Sequence, residues 1–214
     1  MSNIPIRIAI DISGVPPETT YIGLASFNAY EFNEFEKRFK SKFPNHFRSR
    51  WKGAKLHSNE LSSIMHCMND NKVKMGSISI SSQEWAKSIS AYRNMGKGFI
   101  KEKIMGIFYF NLLRNFTWPE SKYDGKYEII VCNDNSLDIN KVLESCKRIS
   151  GMYNRNFAFQ TSIQKFNKIL KFADYVAAAH RKLPEKQLMT YKNFRIIKRR
   201  PEPSDFIKVF GSYA

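Results

Sequence analysis

Apolar residues are grouped along the chain in runs that predict alternating strands and helices. Two short runs near the start, IRIAID within residues 5–11 and TYIGLASF within 20–28, are rich in Ile and aromatic residues and predict β-strands. The SGVPPETT between them holds one Gly and two Pro, which is turn chemistry, so the pair reads as an antiparallel hairpin with a long loop. In YEFNEFEKRFKSKF, Phe32, Phe35, Phe39 and Phe43 recur every three or four residues, the apolar stripe of an amphipathic helix that Pro44 stops. NHFRSRWKGAKLH follows, dense in Arg, Lys and aromatics, and is expected to include a short strand.

Further on, SNELSSIMHCMND predicts a helix capped by Ser58 or Asn59, and VKMGSISIS a strand. Residues 82–115 are helical in pattern, with a break expected near Gly96 or Gly98. KYEIIVCND has a continuous apolar centre, the mark of a strand buried on both faces. LDINKVLESCKRIS then predicts a helix, NFAFQTS a strand, and IQKFNKILKFADYVAAAHRK a helix with Ile163, Phe166, Ile169, Leu170, Ala173, Val176, Ala177 and His180 on one face. The tail, YKNFRIIKRRPEPSDFIKVFGSYA, is expected to hold one or two short strands around RRPEP. Strands mixed with helices imply an α/β sheet with helices packed on its faces. No repeat or linker divides the 214 residues, so one domain is expected, with residues 184–214 a basic C-terminal extension packed on it.

Composition narrows the class. Apolar residues make up 43%, with 17 Phe and 10 Tyr, ample for a packed core. Cys67, Cys132 and Cys146 are too few and scattered for a disulfide framework or a zinc knuckle, and fit a reducing compartment. IPIRIAI is too short, and too interrupted by Arg7, for a signal peptide. No run approaches the ~20 apolar residues of a membrane span. A cytoplasmic protein without a membrane partner is expected. The charge says more: 35 Lys and Arg against 19 Asp and Glu leave +16, which favours a polyanionic partner, DNA or RNA.

Candidate chemistry rests on three aspartates. Asp11 and Asp134 each end a predicted strand, and parallel central strands would bring both to one sheet edge, where open α/β sheets bind ligands. Asp174 sits in the apolar FADYVAAA, where a carboxylate is costly to bury without a partner or a cation. Three converging carboxylates would suit Mg²⁺ or Mn²⁺ and phosphodiester hydrolysis. Each also has a plain reading: Asp11 as a turn residue, Asp134 as the start of a turn in NDNS, Asp174 as a partner of Lys171 or Arg181.

IAIDISG resembles the opening strand of ribonuclease H-like proteins, especially an uncharacterised family whose first strand ends D-E-S-G (domain of unknown function 3800 type). SIQKFNKILKFADYVAAAHR is similar to that family's closing helix, which carries its last acid, and IIVCNDNS to its middle Asp-bearing strand. The resemblance spans most of residues 5–182. It implies a ribonuclease H-like sheet over residues 1–183, a metal-dependent nuclease ancestry, and Asp11, Asp134 and Asp174 as the acids. Two departures stand out. Ile12 replaces the family's Glu, and Lys55 stands where an acid often precedes the position of His57. Glu60, one turn beyond His57, is the candidate replacement.

Basic and aromatic residues are interleaved in FRSRWKGAKLH, where Arg48, Arg50, Lys52 and Lys55 accompany Trp51 and lead into His57, a pattern that suits a single strand. Arg93, Lys97 and Lys101 form a second cluster, in which GKG lacks the spacing of a nucleotide-binding loop, so no small-molecule cofactor is expected. The leading expectation is a Mg²⁺- or Mn²⁺-dependent nuclease. Its alternatives are a non-catalytic nucleic-acid-binding protein with a degraded site, and a basic interaction protein that binds an acidic partner.

Overall fold

The computed structural model describes residues 6–45, 52–93, 98–117, 127–133, 137–152, 157–162 and 167–211. Strands β1 (Ile6–Ser13) and β2 (Thr20–Asn28) form the expected antiparallel hairpin. With β3 (Lys74–Ile80), β4 (Tyr127–Cys132), β5 (Ala158–Ser162) and β6 (Phe194–Ile196) they make a six-stranded sheet of order β5-β4-β1-β2-β3-β6. β4 runs parallel to β1, and β5 parallel to β4, so all three end at the same edge. The sheet is mixed and the class is α/β, as expected.

Side-chain alternation sorts the strands into two cores. Ile8, Ile10 and Ile12 of β1, Ile22 and Leu24 of β2, and Ile129 and Val131 of β4 face one layer. That layer holds α3 (Ser82–Tyr92), α4 (Ile100–Thr117), α5 (Ile139–Met152) and α8 (Pro203–Phe210). Ala9, Ala25, Phe27, Met75 and Ile130 face the other. Against them pack α1 (Ala29–Lys42), α2 (Ser58–Asp70) and α6 (Lys168–Lys182). The α1 stripe is real: Phe35 and Phe39 are buried and meet Phe172 of α6 with ring centroids 4.9 and 5.0 Å apart. A last short helix, α7 (Glu185–Leu188), follows α6.

Several boundaries differ from expectation. β1 does not stop at Asp11; it runs two residues further, because Asp11, Ile12 and Ser13 all find partners on β2. The break in residues 82–115 falls where expected, between α3 and α4. The described part of the 45–57 segment holds a 3₁₀ turn, Gly53–Lys55, and residues 46–51, over which the strand was also expected, lie outside the described residues. α2 is capped by His57, one residue before the expected cap. α6 begins at Lys168, where the Asn167 side chain accepts from the Ile169 amide, and Ile163 and Phe166 lie outside the described residues. RRPEP itself is no strand. β6 precedes it, adding in parallel to β3, and α8 follows it with Pro203 at its first position and a Glu202–Asp205 capping box.

The tail beyond residue 183 is tied into the α4 layer. Arg114, buried on α4, reaches Asp205 at 3.5 Å and Glu202 at 3.8 Å, and Asn111 donates to the Arg199 carbonyl at 2.7 Å. No helix among the described residues is long and apolar enough to cross a membrane.

Candidate active site

Asp11 lies on the face of β1 that α6 covers, and Asp174 is carried by α6 itself. Ala9 belongs to the α6-side core, and alternation puts Asp11 on that face, where it is 3% exposed. Its partner across the hairpin is Gly23. A Cβ at Gly23 would overlap the Ala177 amide nitrogen and the Ala173 carbonyl oxygen, and would stand 2.9 Å from the Ala177 Cα. The helix backbone therefore lies directly on the strand, beside Asp11. Asp174 follows Ala173 on that helix and is 4% exposed.

A second close approach fixes Asp174 itself. The Gly53 amide donates to its Oδ2 at 2.6 Å, and a Cβ on Gly53 would come within 2.8 Å of the Ala178 Cβ and 2.9 Å of the Asp174 carbonyl. Lys182 holds the same 3₁₀ turn from below, its Nζ donating to the carbonyls of Ala54 at 2.6 Å and Leu56 at 2.8 Å. Asp11 is oriented locally, accepting from the Ile12 amide at 2.8 Å through Oδ1.

The surroundings are apolar but not inert. Burial lowers the pKa of Lys171, and the Asp174 charge opposes that shift. Burial, reinforced by Asp174, raises the Tyr175 phenol well above its usual range, and its hydroxyl has no hydrogen-bond partner among the described residues. Further along α6, His180 is hydrogen-bonded through Nδ1 to Ser77 and packs edge-on against Tyr21 at 5.2 Å. Burial lowers its pKa to about 4; Arg200 and Lys198 add to that shift and Glu185 opposes it. Ser77 pairs with Gly23, so Asp11, Gly23 and Ser77 form one row across the sheet beneath α6.

The other sequence candidates divide into three groups. Asp134, Arg48, Arg50, Trp51 and Lys97 lie outside the described residues. Glu60 is the third residue of α2, where its Oε2 accepts from the His57 amide at 2.8 Å and completes a capping box with the His57 side chain. Lys52 and Lys55 are exposed on the turn that holds Asp174, Arg93 is exposed at the end of α3, and Lys101 reaches the Pro16 carbonyl at 3.4 Å. Among the described residues no three His, Cys, Asp or Glu side chains gather into a cation-sized group.

Three contributors went unnoticed in the sequence. Gly53 and Lys182 carry no motif, and act through a backbone amide and two carbonyl contacts that only tertiary structure reveals. Cys132 falls one step beyond the last registered pair, Ile10–Val131, and packs on the α6 side, which places it laterally to Asp11. Its alternation with Ile130 was readable in IIVC.

The order of strands, the two helical layers and the position of α6 across β1 and β2 define a ribonuclease H-like fold. The chain is similar in structure to ribonuclease H2 from Pyrococcus horikoshii OT3, with a TM-score of 0.53 at 11% sequence identity over 94% of this chain and 82% of that one. No protein-family model matches the chain, so the D-E-S-G family is not supported as its family. No curated protein matches it either.

Proposed function

We propose that the chain is a Mg²⁺- or Mn²⁺-dependent nuclease that hydrolyses phosphodiester bonds of DNA or RNA. The observation that carries this reading is the pair of buried carboxylates, Asp11 and Asp174, on facing elements of a ribonuclease H-like fold. The donor set fits the cation: hard carboxylate oxygens are what Mg²⁺ and Mn²⁺ select. Asp11 and Asp174 would be ligands, with Asp134, two residues beyond β4 in sequence, as the third acid and Glu60 as a fourth. When bound, the cation supplies an activated water and neutralises charge on the leaving oxygen.

The chain's own residues do the rest. The Gly53 and Ile12 amides hold one oxygen of each carboxylate and so fix how the pair is aimed. Lys52 and Lys55, with Arg48, Arg50 and Trp51 before them, would draw a phosphate backbone to that pair, with His57 beside it. Arg93 and Lys101 would extend the same basic track past the β1–β2 turn. The three free thiols suit a reducing, cytoplasmic setting.

A second reading, binding without cleavage, is favoured by Ile12. Its side chain packs in the α4-side core, so this strand position offers no carboxylate where the resembling family has one. Incubating labelled DNA, RNA and hybrid substrates with Mg²⁺ or Mn²⁺ separates the two. Cleavage that disappears in Asp11→Asn supports the nuclease. Salt-sensitive binding with no cleavage under any divalent ion supports the binder.

A further inference from the structure

On the opposite layer from Asp174, a cavity of about 320 Å³ opens between α4 and α5. Lys103, Lys141 and Arg148 line it with a single carboxylate, Glu144, which already pairs with Lys141 at 3.0 Å. Arg148 has no carboxylate partner among the described residues. At the mouth stands Phe99, 47% exposed, with Lys141 Nζ 5.5 Å from its ring centroid. Phe99 also adopts a left-handed backbone, φ 56°, which costs a bulky residue on the order of 1 kcal/mol. Strain spent to hold an aromatic ring in water needs a reason beyond packing.

The cavity lies at the candidate active edge. Lys101, at the start of α4, donates to Pro16 in the turn after β1, and Glu102 accepts from the Asp138 amide just before α5 at 3.4 Å. Both contacts place the amino-terminal ends of α4 and α5 where β1 and β4 finish.

We propose that this cavity is a second nucleic-acid subsite, which takes a backbone phosphate of a single strand on Lys103 and Arg148 and stacks its unpaired base on Phe99. The proposal rests on the nucleic-acid reading above and adds a place and a strandedness to it. Cations for the phosphate and an exposed ring for the base are the two elements of sequence-tolerant single-strand binding.

The test is fluorescence anisotropy with labelled single-stranded DNA and RNA, in chelator so that no cleavage occurs, across a range of salt. Lys103→Gln/Arg148→Gln should weaken binding about tenfold and flatten the salt dependence by about 0.7 log unit per decade, the value for one lost phosphate contact. Phe99→Ala should weaken binding at least about fivefold and leave the salt slope unchanged. Glu144→Gln should tighten binding, a gain that misfolding cannot produce. Wild-type binding with all three variants unchanged overturns the subsite and leaves the nuclease reading standing. Absence of wild-type binding to either nucleic acid overturns both.

Discussion

Gly23 of β2 and Ala177 of α6 meet backbone to backbone, with no room for a side chain between strand and helix. This contact sets the depth at which α6 lies on the sheet, and so the relation of Asp174 to Asp11, the residue paired with Gly23. Gly23→Ala must push α6 outward. A cost of at least about 1–3 kcal/mol is expected from overpacking against immovable backbone. It would show as a melting temperature lowered by several degrees, with activity lost faster than stability.

Asp174 anchors the Gly53 amide, and two substitutions separate that structural task from the chemical one we propose for it. Asp174→Asn keeps an acceptor for the Gly53 amide, so its stability in denaturant should stay close to wild type. Asp174→Ala leaves that buried amide without its partner and should lose about 1–3 kcal/mol. Both should abolish cleavage. An active Asp174→Asn would reduce the residue to an anchor.

His180 should make the fold sensitive to mild acid. Its folded pKa, about 4, lies below the ordinary 6.5, so between these values the unfolded chain binds the proton and the folded chain does not. Stability is therefore fully present above about pH 6.5 and falls as the pH drops toward 4, by up to roughly 3 kcal/mol. Denaturant unfolding at several pH values should show this slope in wild type and a shallower one in His180→Gln.

Much of this fold was legible because local pattern and tertiary role agree. The Phe stripe of α1 became its buried face, and the apolar centre of KYEIIVCND became a central strand. Asp174 stood out as a carboxylate in an apolar helix, and it is buried. Elements that depend on distant partners were harder to read. β6 is three residues long and exists through its pairing with β3, more than a hundred positions earlier. α8 is only eight residues, and its capping box follows a proline-rich run that reads as a breaker. For the site, Gly23 looks like a weak point in a strand, and only the helix above it reveals its purpose. Gly53 acts through an amide that every residue but proline possesses.

Arg114 and Asp205 bind the tail to α4 through a buried charge pair, Asp205 being fully enclosed. Asp205→Ala removes the buried partner of Arg114 and leaves it, of the carboxylates that the described residues offer, with Glu202, half exposed to solvent. A loss of about 3–5 kcal/mol is expected, against less than about 1 kcal/mol for Glu202→Ala. Hydrogen exchange across α8 should rise sharply in the first variant and little in the second.

We propose that Asp11 and Asp174 belong to one divalent-cation site. Titrating Mn²⁺ into the protein and counting free ion by electron paramagnetic resonance tests this without a substrate. Wild type should take up Mn²⁺, and Asp11→Asn and Asp174→Asn should each lose that uptake while remaining folded. Uptake unchanged in both variants would contradict a shared site.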